Sequence, residues 1–288
     1  MIRYLKRHQL DEIKYDNCIK EAINTRIYAY TWYLDCVADN WGVLILNDYE
    51  AVFPLPWRQK YFIIYIYPPA WTQQLGVFYK KEIPPALISN FMNAIPKKFK
   101  KVTIQFNSQN DLSLFKSVEK KNFFLSLNKT YENLYKAFNT NRKRDLKKVN
   151  TSTLKVEKEI SSEEFLNFYL NTKKGYKIEL NQILALKKLL NSNKTSISIW
   201  GIRKNNQLIA GLIWLKDTNR ITNLLPVSND EAKKLGLQAL IVTELIQQFS
   251  NSNLLLDFEG SMIPGVAKYY KSFGAKIEMY NFYKQIQF

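Results

Sequence analysis

The stretch Asp257 to Ala275, DFEGSMIPGVAKYYKSFGA, sets a strand, a tight turn and a helix end to end, and its reading decides the fold. Leu254, Leu255 and Leu256 lead into it as an apolar run too short for a helix, which predicts a strand. Gly260 permits a sharp turn, Ser261 with Pro264 predicts a helix start, and Gly274 stops that helix. Tyr270 and Lys271 therefore stand on a short helix directly behind a strand end. Successive helical residues point about 100° apart, so the phenol and the ammonium cannot both face one pocket centrally.

Working outward, the same order of elements appears twice. Ser196 to Ile202 and Leu208 to Leu215 alternate as strands around the turn Lys204-Asn205-Asn206, and Ile221 to Val227 is a third strand. Leu237 to Phe249 is a strongly apolar helix, followed by the strand Leu254 to Phe258. In the first half, Gly42 to Leu46 and Ala51 to Leu55 flank the turn pair Asn47-Asp48, and Tyr61 to Tyr67 follows as a third strand. Pro84-Pro85 opens a helix to about Ile95, and Val102 to Phe106 is again a strand. Trp41-Gly42 and Trp200-Gly201 begin matching stretches, as an internal duplication would leave. Before the first hairpin, Ile19, Ala22, Ile23 and Ile27 have helical spacing. Between the halves, Tyr131, Leu134, Tyr135 and Phe138 form a helical stripe behind Thr130, the expected cap, so the boundary is placed near residue 130. The expected class is α/β: two similar domains, each a mixed, mostly antiparallel sheet flanked by helices.

The spacing Ala267, Tyr270, Gly274 resembles the A-x-x-Y-x-x-x-G-F segment of the GNAT superfamily of N-acyltransferases, with Ala275 where Phe is usual. The same residues resemble the F-K pair of the FemAB-like aminoacyl transferases, a GNAT-related group with two GNAT-like domains, with Tyr270 in place of the Phe and Lys271 as the lysine. The resemblance implies residues 1–130 as one domain, completed by a returning strand at 278–288, and 131–277 as the other. It implies that Tyr270 protonates a departing thiolate, or that Lys271 offsets charge on the carbonyl or leaving ribose oxygen. Leu225-Pro226 followed by Lys233, Gly236 and Gln238 partly matches the Q/R-x-x-G-x-G/A loop, whose helix amides hold the pyrophosphate of coenzyme A. Lys233 stands where Gln or Arg is usual, and Gln238 fills a position kept for a small residue. Acyl-CoA is thus a candidate co-substrate and no tightly bound cofactor is expected.

Two further groups draw attention. Asp257 and Glu259 flank Phe258, and strand alternation would point both carboxylates to one face, where pairing raises a pKa and offers a base. The FemAB-like pattern usually has Gly where Glu259 stands. Arg142, Lys143 and Arg144 belong to a run in which five of the seven residues from Arg142 to Lys148 are basic, an anchor for nucleotide or tRNA phosphates or else a solvated face.

The chain has 288 residues, 46% hydrophobic, enough for two ordinary domains, and a net charge of +17. Lys dominates the 42 basic residues, so much of that charge reads as compositional background. Cys18 and Cys36 have no metal-like spacing, no metal site is expected, and the single histidine, His8, argues against His-based catalysis. Without an apolar leader or a run long enough to cross a bilayer, a cytoplasmic protein is expected. These readings converge on transfer of an acyl or aminoacyl group to an amine of a cell-envelope or polysaccharide precursor, with tRNA as a further partner. The alternatives are a non-catalytic nucleic-acid-binding protein, favoured by charge and 14% aromatics, or an inactive scaffold of the same fold.

Overall fold

The computed structural model describes every residue except 83, 150–152, 174, 176, 193, 287 and 288. Two compact units divide the chain: Met1–Lys121, Leu180–Ser192 and Glu278–Phe288 form the first, and Asn122–Glu179 with Asn193–Ile277 the second. The last two residues of the expected final strand lie outside the described residues.

In the first unit β1 (Ile2–Lys6) pairs antiparallel with β2 (Asn40–Leu46), after α1 (Glu12–Glu21) and α2 (Thr31–Val37). β3 (Ala51–Lys60) pairs antiparallel with β2, with β4 (Ile63–Ile66) and with the two-residue β5 (Phe78–Tyr79). After α3 (Pro85–Asn93), β6 (Phe99–Phe106) runs parallel to β4. The core behind this sheet is aromatic, with Phe53, Phe91, Phe99 and Phe106 fully buried. Strand β1 carried no alternation that marked it, and α1 stops before Ile23 because Ala22 is already extended. The expected third strand is shorter than Tyr61 to Tyr67, since Tyr61 and Phe62 make the turn that lets β3 and β4 pair.

The second unit receives the chain within β7 (Ser117–Ser126), followed by α4 (Tyr131–Lys136), α5 (Thr140–Lys148) and α6 (Ser162–Asn171). Thr130 does cap α4, its hydroxyl accepting from Asn133 N. Helix α7 (Leu180–Leu190) belongs to the first unit. Then β8 (Ile197–Lys204), β9 (Gln207–Lys216) and β10 (Arg220–Ser228) form an antiparallel meander. After α8 (Asp230–Leu235) and α9 (Leu237–Phe249), β11 (Leu255–Gly260) lies parallel to β10 and antiparallel to β7. α9 is apolar nearly all round and is buried accordingly, from Leu237 to Ile246. α10 (Pro264–Lys271) and β12 (Lys276–Ile286) close the chain, and β12 pairs with β6 from Asn281 to Ile286.

The two units thus share a local order of antiparallel, antiparallel, parallel: β2-β3-β4-β6 in one and β8-β9-β10-β11 in the other. Trp41-Gly42 and Trp200-Gly201 lie in the first strand of each set. Ser261 is not the cap of α10; Ile263 precedes Pro264 at that position, and the Ser261 hydroxyl accepts from Ile263 N instead.

Candidate active site

The parallel pairing of β10 with β11 covers only Arg220–Leu255, Ile221–Leu256 and Thr222–Asp257. Both strands continue, β10 to Ser228 and β11 to Gly260, but no longer in register with each other. The sheet therefore forks just after Thr222 and Asp257. On β11 the fork coincides with a bulge: Asp257 faces Phe124 of β7 and Gly260 faces Asn122, one residue too many on β11. Glu259 absorbs it at φ +60°, a left-handed conformation that Gly adopts freely and Glu does not. The alternation expected to align Asp257 with Glu259 is broken there, and the sharp bend falls on Glu259 rather than Gly260.

Tyr270 is buried beside this fork. Its ring stacks on Phe258, the first β11 residue past the paired stretch, with centroids 5.0 Å apart, and meets Phe123 at 5.7 Å. Burial, then the nearby carboxylate of Glu259, pushes its phenol well above the usual tyrosine range and keeps it protonated. The Tyr270 hydroxyl makes no hydrogen bond among the described residues, and that of its neighbour Tyr269 is sealed off without a partner. Lys271, one position on, is exposed. The helix separates the two side chains as its pitch requires.

Asp257 is 2% exposed and held in a buried ion pair, its Oδ2 2.8 Å from Nη1 of Arg220, while Asn122 Nδ2 and the Glu259 amide donate to Oδ1 at 3.0 and 2.9 Å. Its oxygens are committed to cation and amides. That makes Asp257 the clamp that fixes the bulge. Arg220 and Asn122 escaped the sequence reading, because neither lies in a motif; the scarcity of arginine was the one available signal.

Across the fork, Asn223 follows Thr222 on β10 with its carboxamide oxygen buried and no donor within reach among the described residues. Gly236, at φ +69°, ends α8 and begins α9 in one step. Gln238 lies in the first turn of α9, accepting from the Ser228 hydroxyl at 3.1 Å and leaving its own Nε2 buried without an acceptor. Lys233 is exposed and paired with Asp230 at 3.0 Å.

The basic run on α5 splits by position. Arg142 is buried, its guanidinium 4.6 Å from the ring of Tyr269 and 4.8 Å from that of Phe273, with Nε donating to Ser272 Oγ at 3.1 Å. It fastens α5 to α10 and has no surface left for a phosphate. Lys143 donates to the Lys136 carbonyl at 2.9 Å, and Arg144 is exposed. Among the described residues no cluster of three His, Cys, Asp or Glu could hold a metal ion. Nor is any described helix long and apolar enough to cross a membrane.

No protein-family model matches this chain, and no curated protein matches it in sequence. Solved structures do. FemX superposes with a TM-score of 0.68 at 9% identity, over 97% of this chain and 96% of that one. L-PGS from Bacillus licheniformis gives 0.60 at 13% identity over 96% and 92%. A tandem GNAT protein from the clavulanic acid biosynthesis pathway gives 0.57 at 9% identity over 100% and 99%. The chain therefore has the tandem GNAT-like fold, an α/β architecture of two similar domains.

Proposed function

We propose that the second unit transfers an acyl or aminoacyl group from a thioester or ester donor to an amine, at the fork between β10 and β11. Beyond Thr222 and Asp257 the facing strand edges no longer pair with each other. An extended, amide-bearing chain such as the pantetheine arm of acyl-CoA can add there as a short strand. The amine nitrogen attacks the carbonyl carbon, the C–S or C–O bond breaks toward the leaving atom, and Tyr270 gives that atom its proton. The proton released by the amine returns to the phenolate through water, which closes the cycle. A phenol held neutral by burial suits an acid and not a base.

The observation that carries this reading is the stack of Tyr270 on Phe258, which seats an unpartnered phenol beside the fork. Tyr270 is favoured over Lys271 because Lys271 is solvated. Gln238 and Asn223 offer unsatisfied amide groups on the β10 and α9 side, and both acyl-CoA and aminoacyl-tRNA remain donors under this proposal. The acceptor is proposed as an amine of a cell-envelope or polysaccharide precursor, the class that the resemblance of the Tyr270-Lys271 segment to the FemAB-like group implies.

Thermal shift with acetyl-CoA and, separately, with aminoacyl-tRNA tests it. A ligand at 100 times its Kd stabilises the native state by about 2.7 kcal/mol. Stabilisation by one donor, followed by transfer to an amine, is expected; no shift with either donor and no transfer would reject it.

A further inference from the structure

The hairpin joining β3 to β4 in the first unit ends in two residues, Tyr61 and Phe62, with Lys60 paired to Ile63 across the turn. Tyr61 adopts φ +53°, at the position where a two-residue turn of this kind normally takes glycine. It is 83% exposed, Phe62 97% and Ile63 54%. The backbone is strained to hold an aromatic tip in water. Neither folding nor core packing accounts for that, since the tip touches no core.

Its surroundings are basic. β6 lies beside β4 with Phe99 opposite Ile64 and Lys101 opposite Tyr65, so the segment Lys97, Lys98, Lys100, Lys101 runs alongside the base of the tip. Lys60 adds a further ammonium, 5.7 Å from the Tyr61 ring. None of these five lysines has a carboxylate within ion-pair distance among the described residues, although surface acids elsewhere in this unit are taken up by Arg7, Lys14, Arg58 and Lys80. Ile286, 58% exposed, lies opposite Lys101 on the other side of β6.

We infer that this end of the first unit docks on an anionic lipid surface, with Tyr61, Phe62 and Ile63 entering the headgroup region and Lys60, Lys97, Lys98, Lys100 and Lys101 meeting the lipid phosphates. Aromatic residues beside an apolar one at a protruding apex suit the interface, where ring and polar edge are both satisfied. Unpaired lysines suit diffuse lipid charge. Nucleic acid fits less well, because Ile63 offers no stacking face and a two-residue apex gives no platform for successive bases. The Lys98 ammonium lies 4.6 Å from the ring of Tyr4 and 5.0 Å from that of Phe99, and partial desolvation there, with nearby Lys6, lowers its pKa.

Cosedimentation of the full chain with phosphatidylglycerol-phosphatidylcholine vesicles, against pure phosphatidylcholine, reads the inference directly. Binding to the anionic vesicles alone is expected, weakening as salt is raised. A lysine near such a surface contributes on the order of a fivefold change in partitioning, so Lys97→Glu with Lys100→Glu lowers binding by more than tenfold. Tyr61→Gly with Phe62→Ser relieves the turn while removing the rings, so it should fold as well as the parent by thermal melting and yet bind at least tenfold less. Equal binding to both vesicle types, an unchanged partition of the tip variant, or RNA binding that the tip variant leaves intact while vesicles are ignored would each overturn it.

Discussion

The ring of Tyr270 lies against that of Phe258 with 28° between their planes, tying α10 to the point where β11 leaves β10. The contact uses the ring and leaves the hydroxyl unengaged. Tyr270→Phe should therefore keep the stack and stay within about 1 kcal/mol of the parent by urea denaturation. Under the proposed mechanism it loses an acid worth roughly 10²–10⁴-fold in transfer rate. Tyr270→Ala also removes the packing and costs about 3–5 kcal/mol. A Tyr270→Phe enzyme turning over at the parental rate would show that the proton comes from elsewhere.

Tyr269 and Tyr270 both hold their protons above the ordinary phenol value of 10.0, chiefly through burial. The folded pKa is raised relative to the unfolded one, so the folded state binds these protons more tightly. Their contribution to stability is complete below about pH 10 and is lost as the pH climbs toward the folded values. Urea midpoints at about pH 8 and pH 11 should fall more in the parent than in a variant carrying Tyr269→Phe and Tyr270→Phe. Parallel losses in the two proteins would place the alkaline sensitivity in other groups.

Arg220 and Asp257 form a pair with side chains only 7% and 3% exposed. Removing one partner strands a buried charge, which typically costs about 3–5 kcal/mol, whereas a well-packed apolar pair in their place can be neutral. Arg220→Met and Asp257→Leu should each destabilise by that order, and the double variant should recover a large part. A double-mutant cycle in urea measures it. Additive losses would mean that the two charges do not depend on each other.

Much of this layout was legible because the deciding signals are local. Leu237–Phe249 was readable to the residue, since an apolar stretch opened by Gly236 and closed by Ser250, Asn251 and Ser252 allows few other helices. The hairpins around Asn47-Asp48 and Lys204-Asn205-Asn206 followed from turn chemistry alone. What stayed hidden depends on distant partners. That Arg142 is buried under Tyr269 and Phe273 could not be read from a run of basic residues, because burial is a property of α10. Asp257 likewise looked like a free carboxylate until Arg220 stood beside it. The assignment of α7 to the first unit has no local signature either, as its pattern specifies only an amphipathic helix.

Glu259 stands at φ +60° where the resembling family usually has Gly, and the bulge between Asp257 and Gly260 supplies the reason. A left-handed conformation costs a side-chain-bearing residue about 1–2 kcal/mol, against roughly 0.5–1 kcal/mol of extra chain entropy lost by Gly on folding. Glu259→Gly should then leave stability unchanged or raise it by up to about 1.5 kcal/mol. Glu259→Val, β-branched at the same φ, should lower it by about 2 kcal/mol or more. Because the Glu259 carboxylate helps to hold the Tyr270 phenol protonated, Glu259→Gly should also move the alkaline limb of any transfer pH profile to lower pH. If Gly and Val destabilised alike, contacts of the glutamate side chain, and not the backbone angle, would govern the bulge.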